Sequence, residues 1–205
     1  MSQEEVIHAL VLLWAVIDPI GSVPVFIAVT RRHPDIEKRI VAIRAVGFAA
    51  VTLLLFLVGG QLILQAMKVP LSAFQISGGI ILFLFALNML FGETKPEEEL
   101  QVVRKGKDTA IFPLAVPSIA GPGAIMTVML LTDHHRFDWG YHITVGLLLI
   151  LILAVQLVLF LGAGFISRLI GESGANLTSR IMGLLLASIA ANHVLEGIRE
   201  YFKII

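Results

Sequence analysis

The chain has no cysteine, which excludes disulfides, thiolate metal ligands and thiol nucleophiles, and removes any redox clue to its compartment. It is also poor in charge. Only 15% of its 205 residues are charged, and fifteen Lys and Arg balance fifteen Asp and Glu. Net charge therefore argues for no acidic or nucleic-acid partner, and none is expected. No P-loop, nucleophile elbow or zinc-protease motif is present. The opening segment "MSQEEVIHALVLLW" lacks a basic stretch and a small-residue cleavage site, so it is expected to be a retained first span, not a removed signal peptide.

What is abundant is apolar side chain. At 57% hydrophobic residues and a mean hydropathy of +0.91, the chain carries more apolar surface than one soluble core buries, and the expected class is an all-α membrane protein. Charge-free intervals locate the spans. There are 23 uncharged residues between Arg44 and Lys68, 24 over 69–92, 24 over 109–132 and 29 over 139–167. A bilayer core of ~30 Å needs ~20 helical residues, so each interval suffices. Val6 to Thr30 is long enough too and is broken only by Asp18. The last interval, Ile181 to Leu195, has just 15 uncharged residues and spans only if Leu177 to Ile198 is helical, with Arg180 reaching for the headgroups. Six transmembrane helices are expected.

Basic residues orient them. Eleven of the fifteen fall in the 1–2, 3–4 and 5–6 connections, against Lys68, Arg136, Arg199 and Lys203 on the other side. Basic residues collect in short cytoplasmic loops, so both termini are expected outside the cytoplasm, in a multi-pass protein of the cytoplasmic (inner) membrane. The polar stretch over 93–109 reads as a cytoplasmic linker between a first half, 1–92, and a second half, 110–205.

The halves resemble each other. "IDPIGSVPVF" (17–26) aligns with "PSIAGPGAIM" (117–126), and "ISGGIILFLFALNMLFG" (76–92) with "IMGLLLASIAANHVLEG" (181–197). Spans 1 and 3 thus match spans 4 and 6. Three spans reverse the starting face, so two such copies form an inverted repeat. In both first spans Gly and Pro interrupt an apolar run, and helices 1 and 4 are expected to be discontinuous. Proline removes a backbone donor and glycine frees the chain, which exposes amides and carbonyls at mid-membrane depth. Such groups are tolerated only against protein or a watery cavity, and paired interruptions point to a transport site near the midplane.

The candidate ligand-binding residues are therefore Asp18, Pro19, Ile20, Gly21, Ser22 and Pro24 at the first interruption, and Ser118, Ile119, Ala120, Gly121, Pro122 and Gly123 at the second. Asn88 and Asn192 join them as polar residues at nearly matched places in spans 3 and 6. Asp18 is the one carboxylate in the middle of a span, and a charged Asp there costs ~2.5–3.5 kcal/mol on insertion scales. Two roles are open for it: receiving a substrate ammonium group or a proton, or capping the helix that follows. Open amides after Gly121 suit a carboxylate. The loop "TDHHRFDWGYH" (132–142) fits no metal spacing, so neither metal nor cofactor is expected, and Trp139 with Tyr141 reads as an interfacial anchor. A lone intramembrane carboxylate without a catalytic partner set points away from an enzyme. The rival class is a membrane channel, or an exporter of another small metabolite or drug.

At "DPIGSVPVF" and "PLAVPSIAGPGAIMT" the chain resembles the MarC family, which includes the SnatA small neutral amino acid transporters, and the likeness extends over essentially its whole length. The resemblance implies an inner-membrane protein with inverted three-span repeats. It also implies transport of small neutral amino acids such as glycine and alanine, with proton coupling or exchange. Amino acid, proton and membrane lipid are the partners it suggests; oligomeric state is left open.

The orientation is directly testable in a chain without cysteine. Single cysteines at Ser2, Gly106 and Lys203 should react with an impermeant thiol reagent from outside, inside and outside respectively; labelling of position 106 in sealed cells defeats this orientation, and labelling of Ser2 and Lys203 from opposite faces defeats the inverted repeat.

Overall fold

A computed structural model describes residues 2–31, 33–91, 110–132 and 139–203. The 93–109 linker and positions 133–138 of the His- and Asp-bearing loop lie outside the described residues. Those described form helices and no strand: α1 (Gln3–Ile17), α2 (Ser22–Thr30), α3 (Asp35–Ala66), α4 (Leu71–Phe91), the π-helical α5 (Ala110–Ile119), α6 (Pro122–Leu131), α7 (Trp139–Leu161) and α8 (Ala163–Tyr201). Ser2 starts α1 with a capping box, its hydroxyl receiving the Glu5 amide while the Glu5 carboxylate receives the Ser2 amide.

Five helical stretches are long and apolar enough to cross a membrane: Gln3–Thr30, Asp35–Ala66, Leu71–Phe91, Gly140–Leu161 and Asn176–Tyr201. The weakest expected span is thus fully helical over 26 residues, and Arg180 at its start is exposed. The expected fourth span is different. Its place is taken by α5 and α6, ten residues each, about 15 Å of rise per element for an α-helix and half a bilayer core. Neither crosses alone. Asn176–Tyr201 is the distal part of α8, which bends at Gly171, where φ is +67° and ψ 170°. That left-handed backbone suits glycine, and no atom would obstruct a Cβ there, so the requirement is conformational.

The outside of the bundle is apolar. Val51, Leu55, Val58 and Leu62 along α3, Leu147, Leu151 and Val158 on α7, and Leu184 and Leu195 on α8 are all at least half exposed. Hydrocarbon is the solvent in which such a belt carries no penalty. Inside, by contrast, sit polar side chains: Asp18, Ser22, Gln61, Gln75, Thr127 and Gln156 are buried among Leu12, Leu13, Ile17, Leu53, Leu114 and Leu149.

The closest helix pair is α4 with α8. A Cβ on Gly79 would meet the Ala190 carbonyl oxygen at 3.0 Å, one on Gly183 the Ala86 carbonyl oxygen at 3.1 Å, and one on Gly197 the Ser72 carbonyl oxygen at 3.0 Å. The pairing runs antiparallel, from Gly79 against Ala190 to Gly197 against Ser72. Where lipid competes for apolar surface, helices associate by close packing, and three glycines let these backbones approach. Gly78 faces Met126 of α6 instead, and Gly164 faces open space.

This seam predicts graded stability. Gly183→Val should cost about 1–3 kcal/mol through displaced backbone and lower the melting temperature in detergent, whereas Gly164→Ala should leave it unchanged; equal melting for both refutes the glycine seam.

Candidate functional site

α1 ends because Asp18 adopts a left-handed conformation, φ 49° and ψ 64°, immediately before Pro19. Asp is among the few residues other than glycine that visit this region readily, since its short side chain bonds locally. Here it does so. The Asp18 amide still donates to the Trp14 carbonyl oxygen at 2.9 Å, while its own carbonyl accepts from the Ser22 amide at 3.1 Å and from the Ser22 hydroxyl at 2.9 Å. The turn thus shifts the helical path while keeping its carbonyls bonded, and the apolar stretch continues to Thr30.

The Asp18 side chain is turned inward, 2% exposed. Its Oδ1 accepts from the Gly21 amide at 3.1 Å and its Oδ2 from the Ser179 hydroxyl at 2.9 Å. Asp18 therefore caps the turn into α2 and simultaneously ties the first span to the last, and the two roles the sequence left open concern one carboxyl group. Gly21 has no room for a side chain, because a Cβ would collide with the Asp18 carboxylate and the Ser179 hydroxyl. From α7, Gln156 sends Nε2 toward the Pro19 carbonyl oxygen at 3.5 Å. Gln156 is fully buried, and its Oε1 has no hydrogen-bond partner among the described residues.

The second interruption lies beside the first. The π-helical α5 closes with the Ala120 amide donating to the Ala115 carbonyl oxygen, five residues back, at 2.8 Å. Gly121 is then extended, φ −73° and ψ 167°, and Pro122 opens α6 at its first position, where proline is favoured because its missing amide proton has no partner to lose. No side chain among the described residues caps this helix start. The Ser118 hydroxyl is buried without a partner among the described residues. A Cβ on Gly123 would stand 2.9 Å from Leu82 and 3.5 Å from Val16, two residues before Asp18, so Gly123 serves close packing of α6 on α1 and α4.

Of the sequence candidates, Asp18, Pro19, Gly21, Ser22, Ile119, Ala120, Gly121 and Gly123 are buried; Ile20, Pro24 and Ser118 are partly so. Pro122 is exposed, as its ring points away from the buried side of the α6 start. Asn88 and Asn192 are exposed on α4 and α8, whose facing sides are occupied by the glycine seam. Tyr141 of the expected interfacial pair is 7% exposed, and the side chain of Trp139 lies outside the described residues. Ser179 went unrecognised in the sequence; it lies among charged and polar residues before the last apolar run, with no spacing signal to mark it. Gln156 was visible as a polar residue within an apolar span.

A cavity of about 630 Å³ lies elsewhere, between the end of α2, the start of α3 and the α7–α8 turn, where Arg31, Lys38 and Arg39 gather with Asp35. Its mixed charge and open form belong to the basic connection. The buried chemistry is at the Asp18 turn.

Comparison with known proteins agrees with this helical, membrane-bound picture. Residues 3–202 match the family described as MarC family integral membrane protein. The chain is 36% identical to the UPF0056 inner membrane protein YhgN of Escherichia coli (strain K12) over 97% of its own length and 98% of the relative's. It is 34% identical to a UPF0056 membrane protein of Aquifex aeolicus (strain VF5), covering 96% and 94%. It is also 34% identical to the UPF0056 membrane protein MJ1677 of Methanocaldococcus jannaschii, covering 91% and 92%. No solved structure matches. With its membrane-length helices and a family match across nearly its entire length, the chain is a multi-pass inner-membrane protein belonging to the MarC family.

Proposed function

We propose that the protein is a secondary transporter of small neutral amino acids of the glycine and alanine class, with the substrate held between the Asp18 turn and the start of α6. The observation that carries this reading is the buried Asp18 carboxyl, held by one backbone amide and one hydroxyl beside a glycine that tolerates no side chain. A zwitterion needs an acceptor for its ammonium group and donors for its carboxylate. Asp18 and the Pro19 carbonyl supply the first; the uncapped amides after Gly121, with their helix-dipole bias, supply the second. Displacing Ser179 from Asp18 would cost one hydrogen bond from a neutral donor, which an ammonium group replaces with a bond charged on both sides.

On this reading the chain forms six crossings in two inverted three-span repeats. α1 with α2 and α5 with α6 are the discontinuous first spans of the halves. The antiparallel α4–α8 seam supports it, since it pairs the third span of one half with the third of the other. Six crossings put both termini on one face, and the split of basic residues between the connections supports the face outside the cytoplasm. Coupling of that transport to a proton belongs to the same reading, with Asp18 as the one carboxylate in the middle of a span.

Asp18→Asn separates the roles. Its oxygen retains the Gly21 bond and its amide donates to Ser179, so melting should stay close to wild type, while Asp18→Ala loses about 1 kcal/mol with the cap. In proteoliposomes loaded with alanine, counterflow of labelled alanine by the Asn variant should fall roughly 10–100-fold, the loss of a charged hydrogen bond. Wild-type flux with unchanged pH dependence removes Asp18 from the mechanism.

A further inference from the structure

A second polar centre lies nearer the N-terminal end of α1. His8 and Leu12, which precede Asp18 by ten and six residues, stand about 15 and 9 Å from it along an ideal helix and border a cavity of about 150 Å³. Gln75 of α4, Thr127 of α6, Tyr141 of α7, and His193 and Glu196 of α8 also line it. Five separate helices thus converge on a space the size of a small organic molecule, and none of these side chains belongs to the Asp18 turn.

The chemistry of the lining is selective. Among the described residues Glu196 is the only carboxylate around the cavity, and no described Lys or Arg lines it. Gln75, 4% exposed, donates from Nε2 to Glu196 Oε2 at 3.3 Å, which uses one of the roughly four acceptor positions of a carboxylate. Thr127 is 1% exposed, and its hydroxyl has no partner among the described residues. Most intrahelical threonines bond back to a carbonyl one turn earlier, as Thr30 does to Phe26 and Thr132 to Val128. The Thr127 hydroxyl forgoes that bond. His193 Nδ1 is buried and likewise unpartnered among the described residues. An unsatisfied buried polar group in a membrane protein costs free energy unless something fills its hydrogen-bonding capacity.

We propose that this cavity is a second ligand site, which takes the primary ammonium group of a small molecule on Glu196, with Thr127 Oγ1 and His193 Nδ1 as further acceptors. Three N–H donors face one anionic and two neutral acceptors, and the walls of Leu12, Leu130 and Leu131 leave space for a short aliphatic remainder. Binding here stands on its own. Its role as an antechamber through which an amino acid approaches Asp18 rests on the transport reading above.

The test uses the full-length protein in nanodiscs, with methylammonium chloride and labelled alanine as probes and sodium chloride at equal ionic strength as reference. Methylammonium should raise the melting temperature of the wild type and of Asp18→Asn, with a midpoint concentration increased about tenfold or more in Glu196→Gln. Thr127→Val, nearly isosteric and away from the carboxylate, should raise the midpoint severalfold, which guards against a Glu196 variant that merely misfolds. Labelled alanine should bind at two sites per wild-type chain and at one in either Asp18→Asn or Glu196→Gln. If alanine binds nowhere but methylammonium still acts through Glu196, the transport reading falls and the ammonium site stands. No methylammonium shift beyond that of sodium chloride, or an unchanged midpoint in both Glu196→Gln and Thr127→Val, overturns the site.

Discussion

The contact on which the site depends is the bond from the Ser179 hydroxyl to Asp18 Oδ2, 2.9 Å long and spanning 161 positions of the chain. An acidic side chain inside a membrane bundle must be satisfied from within, because lipid offers no hydrogen bond. The Gly21 amide satisfies one carboxyl oxygen locally; the other requires a partner from the opposite half. Several surrounding choices follow from that demand. Gly21 must lack a side chain so that Ser179 can reach, Asp18 must accept a left-handed backbone so that its carboxyl turns inward, and the last span must descend beside the first.

The rest of the bundle is apolar on both sides. Its outward faces carry Leu, Ile, Val and Phe, and its interior sets a few Asp, Gln, Ser and Thr side chains among buried Leu, Val, Ile and Ala. The interior is close-packed all the same. Small residues achieve this on α4 and α8, where glycine on one helix meets a carbonyl oxygen of the other. Packing of this kind gives attraction without bulky interlocking side chains.

Much of this was legible in the sequence because membranes impose simple lengths. Apolar intervals of 23 to 29 residues can hardly be read as anything but spans, and the last, apparently short one became long enough once Arg180 was allowed to reach outward. Asp18 and Gly21 were visible as violations of an apolar run. The exposure of Asn88 and Asn192 was not legible, because the direction of a side chain depends on helix rotation, which the glycine seam sets on α4 and α8. Ser179 and Thr127 were hidden for the opposite reason. A hydroxyl is cheap to place anywhere in a helix, where it can bond the preceding turn, and only the fold shows which hydroxyl does something else.

The 161-residue separation between Ser179 and Asp18 also bears on how the protein is made. At about 5–20 residues per second, a ribosome takes on the order of ten seconds or longer to reach the serine after it has added the aspartate. During that interval the first span has its carboxyl but not its distant donor. The newborn segment must therefore keep Asp18 next to water, protonated, or at the insertion machinery, and its final seating becomes one of the last events of biogenesis.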